Sequence, residues 1–413
     1  MSQVIRYTGV RVIDPASTRD EITSVVIGKG RVTAFGAEAD AADVHAVSDG
    51  AGLWVVPAFV DLCARLREPG PRQHGTIASE TRAAAAGGFA HLVLTPDTSP
   101  VIDHGALAAQ VIEKAQAAGH ARVYPIGALT RGLEGKALAG MGGLKSAGCV
   151  GVGQARRPVA SVETLLRCLE YAGSTDLTVF FSPEEVSLAA GCAHDGFVAS
   201  RLGLGGIPDT AETVALATAI LLVEQTGVRA HFGQLSCKAS VELVRIAKDK
   251  GLPVTADVSM HQLHLTEDAI DGFNAMAHVR PPLRREADRQ ALIAGVREGV
   301  IDAICSDHQP LNAAAKLAPF AEALPGMSTL ETVLPLGLQL VRDGELEAGR
   351  LIAALSSAPA GIIGIPAGSL AEGGVLVVDP SAAWTVSADT LLSTGKNSAF
   401  LGRTLQGRVR SLH

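Results

Sequence analysis

Trp54-Val55-Val56-Pro57-Ala58-Phe59-Val60 is an uncharged run, and Asp61-Leu62-Cys63-Ala64-Arg65-Leu66-Arg67-Glu68-Pro69-Gly70 follows it at once. A short apolar run closed by polar residues reads as a strand buried on both faces. Seven more such runs follow, at 90–94, 121–126, 149–152, 177–181, 229–232, 252–256 and 301–305, with Ala-rich helical patterns between them. Helices are expected over 76–86, 159–171, 209–226, 240–250 and 285–298. Eight buried strands alternating with helices predict an α/β fold of the (β/α)8 TIM-barrel type. A doubly wound sheet is the alternative, but no Gly-x-Gly-x-x-Gly follows the first strand.

The two ends of the chain have a different rhythm. Residues 10–14 read as a strand, and 24–27 and 31–35 flank Gly28-Lys29-Gly30, a hairpin turn signal. Near the C-terminus, 374–379 and 384–386 look similar. The expected organisation is therefore a small β-sandwich domain built from 1–53 and 359–413, with the barrel over 54–358 inserted between. No internal repeat and no low-complexity linker interrupts it.

The bulk properties narrow the function. The 413 residues are 47% hydrophobic, enough to bury a large core. A formal charge of −7 without a basic run argues against a nucleic-acid surface. No apolar run approaches the roughly 20 residues needed to span a bilayer. Met1-Ser2-Gln3-Val4-Ile5-Arg6 lacks the layout of a signal peptide, so a cytoplasmic location is expected. The six cysteines are scattered with no Cys-x-x-Cys pair, which suggests free buried thiols.

Several segments, in order and spacing, carry a family resemblance. They are 60–70, ending Leu66-Arg67-Glu68-Pro69-Gly70; 80–89; 236–255, opening Ser236-Cys237-Lys238-Ala239-Ser240; Pro281-Pro282-Leu283-Arg284; 299–304; Ser306-Asp307-His308; Phe400-Leu401-Gly402; and Gly407-Arg408-Val409. The chain resembles dihydroorotases of the amidohydrolase superfamily along essentially its whole length. The resemblance implies an amidohydrolase-type barrel with a small β-domain from both chain ends. It also implies one or two zinc ions at the C-terminal ends of the strands, which generate the hydroxide that opens a cyclic amide.

Measured against that resemblance, the metal positions are replaced. The two histidines after strand 1 become Cys63 and Arg65. The bridging carboxylate of strand 4 falls in 153–158, where Gln154 stands and no carboxylate occurs. Strand 5 ends in Phe181, an apolar plug, and the strand-6 ligand position is Gln234. A thiolate could ligate zinc, but a permanently cationic guanidinium cannot. Asp307, the family's general acid/base, survives, and Arg67 matches the arginine that grips the substrate carboxylate. Asp97, Arg280 and Leu311 replace other substrate contacts. Without a metal to lower the pKa of water from 15.7 to about 7, hydrolysis should collapse.

Asp307 and Arg67 are thus expected to be vestigial, with Asp307 paired to Arg65 in the old metal space. The resemblance implies a non-catalytic, metal-free and cofactor-free subunit, like the dihydroorotase-like chain that in some bacteria partners aspartate carbamoyltransferase, six of each. Two other readings stay open. One is a divergent amidohydrolase acting on a dihydroorotate- or hydantoin-like cyclic amide, with a relocated metal site built from His261, His264, Asp307 and Cys63. The other is a small-molecule binder that uses Arg65, Arg67 and Arg280 to attract an anion. His278 and His308 are read as inherited loop histidines.

Overall fold

The structure, a computed structural model, describes residues 4–413. Met1, Ser2 and Gln3, on which the reading of the N-terminus partly rests, lie outside the described residues. The chain opens with β1 (Ile5–Asp14), β2 (Arg19–Gly28) and β3 (Arg31–Phe35), joined as antiparallel neighbours. Lys29 (φ 53°) and Gly30 (φ 74°) both turn left-handed between β2 and β3, as a two-residue hairpin requires. Helix α1 (Gly36–Ala41), β4 (Ala46–Asp49) and β5 (Trp54–Pro57) follow.

Eight parallel strands come next: β6 (Phe59–Ala64), β7 (Phe89–Leu94), β8 (Arg122–Ala128), β9 (Gly151–Gly153), β10 (Thr178–Phe181) and, beyond the two-stranded ribbon β11 (Ala193–His194) and β12 (Gly206–Ile207), β13 (Ala230–Phe232), β14 (Val254–Ser259) and β15 (Ala303–Cys305). The sheet runs from β6 to β15 in chain order, the ribbon apart, and closes beyond the last strand, where Arg65 N donates to His308 O at 2.8 Å. The chain alternates these strands with α2 (Ile77–Gly87), α3 (Gly105–Ala118), α4 (Met141–Ser146), α5 (Val162–Ser174), α6 (Phe197–Leu202), α7 (Asp209–Thr226), α8 (Lys238–Asp249) and α9 (Glu286–Glu298). After β15 come α10 (Val333–Arg342), α11 (Ala348–Leu355) and α12 (Ser357–Ile363), then β16 (Val375–Thr385) and β17 (Thr404–Leu412). This is the (β/α)8 barrel expected from the strand rhythm.

The run 54–60, read as one barrel strand, is divided. Trp54–Pro57 pairs with β1 and β16 in the terminal sheet, and the barrel begins at Phe59. The expected boundary at 54 therefore moves past Ala58, whose backbone N–H bonds to Gly374 rather than to a barrel strand. The expected boundary at 358 falls inside α12. The terminal domain is one seven-stranded sheet, ordered β17-β16-β5-β1-β2-β3, with β4 also on β1.

Local chemistry explains the frame. Thr76 and Ser79 form a reciprocal capping box at the start of α2, and Gly88 ends the helix left-handed (φ 96°). Gly151 is required where it stands, because a Cβ there would lie 2.4 Å from the ring of Phe180. Phe59 and Phe89 meet edge to face at 5.6 Å within the main core. Each fully buried ring contributes roughly 1.5–3 kcal/mol of transfer free energy. Val60, Leu62, Val93, Ile126 and Phe180 form a separate cluster into which Ala360 and Ile363 of α12 pack. The barrel is filled, and what remains for chemistry is its mouth.

Candidate functional site

The strand ends deliver the side chains singled out above. Cys63 lies near the end of β6 and Arg65 directly follows it; Gln154 follows β9; Phe181 closes β10; Gln234 follows β13; Asp307 follows β15. All sit at the C-terminal ends of parallel strands, where barrel loops converge. Four non-glycine residues here have left-handed backbone: Arg67 (φ 62°), Ala155 (φ 50°), Gln234 (φ 53°) and Asp307 (φ 46°). Such conformations cost about 1–3 kcal/mol each and persist only where the surroundings enforce them.

Arg65 occupies the centre. Its Nε lies 2.9 Å from Asp97 Oδ2, and its Nη1 lies 3.4 Å from Asp307 Oδ1. The Arg65 side chain is 13% exposed and that of Asp307 2%. Burial works against the guanidinium charge, but Asp97, Cys63 and Asp307 outweigh it and raise the pKa above its ordinary value. Burial pushes Asp97 up, yet Arg65 and Thr95 together offset this and hold the carboxyl below the usual range. The expected Arg65–Asp307 pair is present, but the shorter contact is to Asp97, which reads from the sequence only as a replaced substrate contact.

Cys63 Sγ lies 3.6 Å from Asp307 Oδ1. Burial, and then Asp307, push its thiol pKa well up, so it is not poised to become a thiolate ligand. Gln154 Oε1 accepts from Thr130 Oγ1 at 3.0 Å, while its Nε2 has no partner among the described residues. Gln234 Oε1 accepts from Arg156 and Ser182, each at 3.3 Å. Phe181 stacks on Phe232 with ring centroids 5.4 Å apart.

Two buried carboxylates were not singled out from the sequence. Asp257 accepts from His231 Nε2 at 2.9 Å, from the Gln234 backbone N–H at 2.6 Å and from Cys305 Sγ at 3.3 Å. Asp61 accepts from the backbone N–H of Ser306 at 2.7 Å and from its hydroxyl; burial raises its pKa to about 7. Their signal in the sequence was a lone acid within or beside an apolar strand, which periodicity alone leaves unassigned.

The candidate histidines do not gather. His261 is buried beside Ser259 (3.2 Å), and burial lowers its pKa. His264 Nε2 lies 3.1 Å from the Leu336 carbonyl, and burial takes its pKa to about 4. His278 stacks on Phe320 at 4.6 Å. His308 Nε2 donates to Glu80 Oε2 at 3.0 Å, and its Nδ1 accepts from Thr329 N at 3.1 Å. Among the described residues no three His, Cys, Asp or Glu side chains converge in a way that could hold a metal. The residues at the mouth do not fit zinc, because a guanidinium neutralises the carboxylates a cation would need.

The residues read as matching or replacing substrate contacts have structural partners. Arg67 Nε donates to the Pro310 carbonyl at 2.9 Å. Burial, then repulsion by Arg65, lowers the Arg67 pKa to about 10. Arg280 forms a bidentate pair with Glu184 at 2.6 and 2.9 Å. Leu311 is buried, and its backbone N–H bonds to Asn397 at 2.8 Å.

The fold and mouth define a (β/α)8 barrel of amidohydrolase type. The family model described as Dihydro-orotase-like matches residues 52–240. A "Dihydroorotase-like protein" of Pseudomonas aeruginosa is 48% identical over 410 residues, covering 98% of this chain and 97% of its own. A "Dihydroorotase" of Syntrophotalea carbinolica is 42% identical over 409 residues, covering 98% and 96%. The solved L-hydantoinase (dihydropyrimidinase) of Arthrobacter aurescens superposes with a TM-score of 0.86 at 20% identity, over 98% of this chain and 94% of that one, and shares the fold. The chain belongs to the dihydroorotase-like family. No helix among the described residues is long and apolar enough to cross a membrane.

Proposed function

We propose that this chain is a non-catalytic dihydroorotase-like subunit that assembles in the cytoplasm with the catalytic chain of aspartate carbamoyltransferase, six of each, in de novo pyrimidine biosynthesis. The observation that carries the reading is the Arg65 guanidinium set between Asp97 and Asp307. Hydrolysis of a cyclic amide needs a nucleophilic hydroxide at neutral pH, and a cation fixed at the centre of the mouth supplies none. An intact barrel around a mouth whose carboxylates are tied to a guanidinium supports retention for assembly rather than chemistry. Adding this chain to the transcarbamoylase catalytic chain should raise transcarbamoylase activity or stability; no change in either would count against the reading.

A second reading has one observation in its favour: relatives that match over nearly the whole chain carry the name "Dihydroorotase". It makes this chain a divergent amidohydrolase acting on a dihydroorotate- or hydantoin-like cyclic amide through a relocated metal site. Elemental analysis of the purified chain, with a dihydroorotate hydrolysis assay, separates the two. Stoichiometric metal with turnover would establish the second reading and overturn the first.

A further inference from the structure

A groove of about 650 Å³ lies where the barrel helices meet the terminal sheet. None of the strand-end residues described above lines it. Helices α2 and α10 contribute Ala85, Ala86, Leu334 and Pro335, and strands β16 and β17 contribute Trp384 and the run 407–412. Helix and strand approach closely here: a Cβ on Gly407 would lie 2.5 Å from the Leu338 side chain. Seams between domains are common places for small-molecule sites.

Six polar side chains line the groove, and four of them are spent. Glu331 accepts from the backbone N–H groups of Leu392 and Ser393. Thr390 Oγ1 donates to the Thr385 carbonyl at 2.9 Å, and Ser411 Oγ pairs with His413 at 2.8 Å. Arg410 pairs with Asp379 at 2.6 Å. The remaining two stand together. The Arg408 guanidinium lies over the Trp384 ring, 5.2 Å from its centroid. Arg408 is exposed and has no carboxylate partner among the described residues. Trp384 Nε1 is buried with no hydrogen-bond partner among them. An indole nitrogen can only donate, and a buried donor without an acceptor is uncommon. A free cation beside an orphaned donor calls for an anionic oxygen.

We propose that this groove binds a monocarboxylate with an apolar body, its carboxylate held by Arg408 and the Trp384 indole N–H and its body laid against α2 and α10. A guanidinium fork suits a carboxylate. With one unpaired cation and the Glu331 carboxylate in the lining, a single negative charge is matched and a phosphate dianion is not. The alanine, leucine and proline side chains offer the body an apolar surface. The site concerns this chain alone, and it stands whether or not the chain assembles with a transcarbamoylase.

The test is calorimetric titration of the full chain with octanoate and with phenylacetate, beside octan-1-ol and inorganic phosphate as controls. Trp54 and Trp384 are the only tryptophans, so the same titrations of Trp54→Phe read Trp384 emission alone. The expected result is one site per chain for at least one of the two carboxylates, with a change in Trp384 emission. Its affinity should fall by about tenfold or more, roughly the loss of one charge-assisted contact, in Arg408→Gln. Arg408 is exposed and makes no ion pair, so this variant should fold as the parent does. No heat from either carboxylate, equal binding of octan-1-ol or phosphate, or carboxylate binding unchanged in Arg408→Gln overturns the proposal.

Discussion

Arg65 Nε stands 2.9 Å from Asp97 Oδ2, and the same guanidinium reaches Asp307 at 3.4 Å. One cation thus serves two carboxylates from the loops after β7 and β15. It ties those loops together across the mouth.

Removing that cation should destabilise the fold. Arg65→Met leaves Asp307 buried without its cation, and breaking a pair of this kind costs on the order of 3 kcal/mol. The double variant Arg65→Met/Asp97→Asn should recover part of the loss. Urea unfolding of both variants checks this. A single variant as stable as the parent would show that the triad holds nothing together.

Acid should attack a second buried pair. Glu80 of α2 accepts from His308, from Ser393 Oγ at 2.6 Å and from Thr394 N at 3.0 Å, linking the helix to the loops after β15 and β16. Burial pushes its carboxyl up, but His308, Ser393 and Ser79 outweigh this and hold it at about 2, below the ordinary 4.5. A depressed folded-state pKa means the stabilisation is complete above 4.5 and is lost as pH falls toward 2. Glu80→Gln should be less stable at neutral pH and should flatten that acid limb. An unchanged limb would assign the acid sensitivity to other carboxylates.

Placing two histidines at positions 63 and 65 should not build a metal centre. In Cys63→His/Arg65→His the donors at Gln154, Phe181 and Gln234 are still missing, and zinc needs a nearly complete shell. Elemental analysis after dialysis is expected to find no stoichiometric zinc. One tightly held zinc per chain would show that the mouth is closer to a metal site than its side chains indicate.

Thiol labelling reports on the mouth from inside. Cys63 and Cys305 are buried, and burial with nearby carboxylates pushes their thiols up. Cys192 is half-buried, so a maleimide should label it first in the native chain and reach the others only on unfolding. Rapid native labelling of Cys63 would mean that the Arg65 triad opens readily.

Much of the barrel was legible because parallel strands covered on both faces read as isolated apolar runs, as at 90–94 and 252–256. The boundary inside 54–60 was not, because Val55-Val56 and Phe59-Val60 are equally apolar while their backbones pair with different sheets. Cys63, Arg65, Gln154, Phe181 and Gln234 could be placed at strand ends from the family resemblance. The Arg65–Asp97 contact could not, since it joins loops 32 residues apart, and nothing local in the sequence marks the pairing. Arg65, Arg67 and Arg280 read from the sequence as one anion-attracting group, and in the structure all three line one cavity at the mouth.

The decisive measurement is the mass, by light scattering after size exclusion, of this chain mixed with the aspartate carbamoyltransferase catalytic chain of the same organism. A scaffold role predicts one large species containing both chains in equal number, six of each. Two separate peaks, each at the mass it has alone, would contradict it.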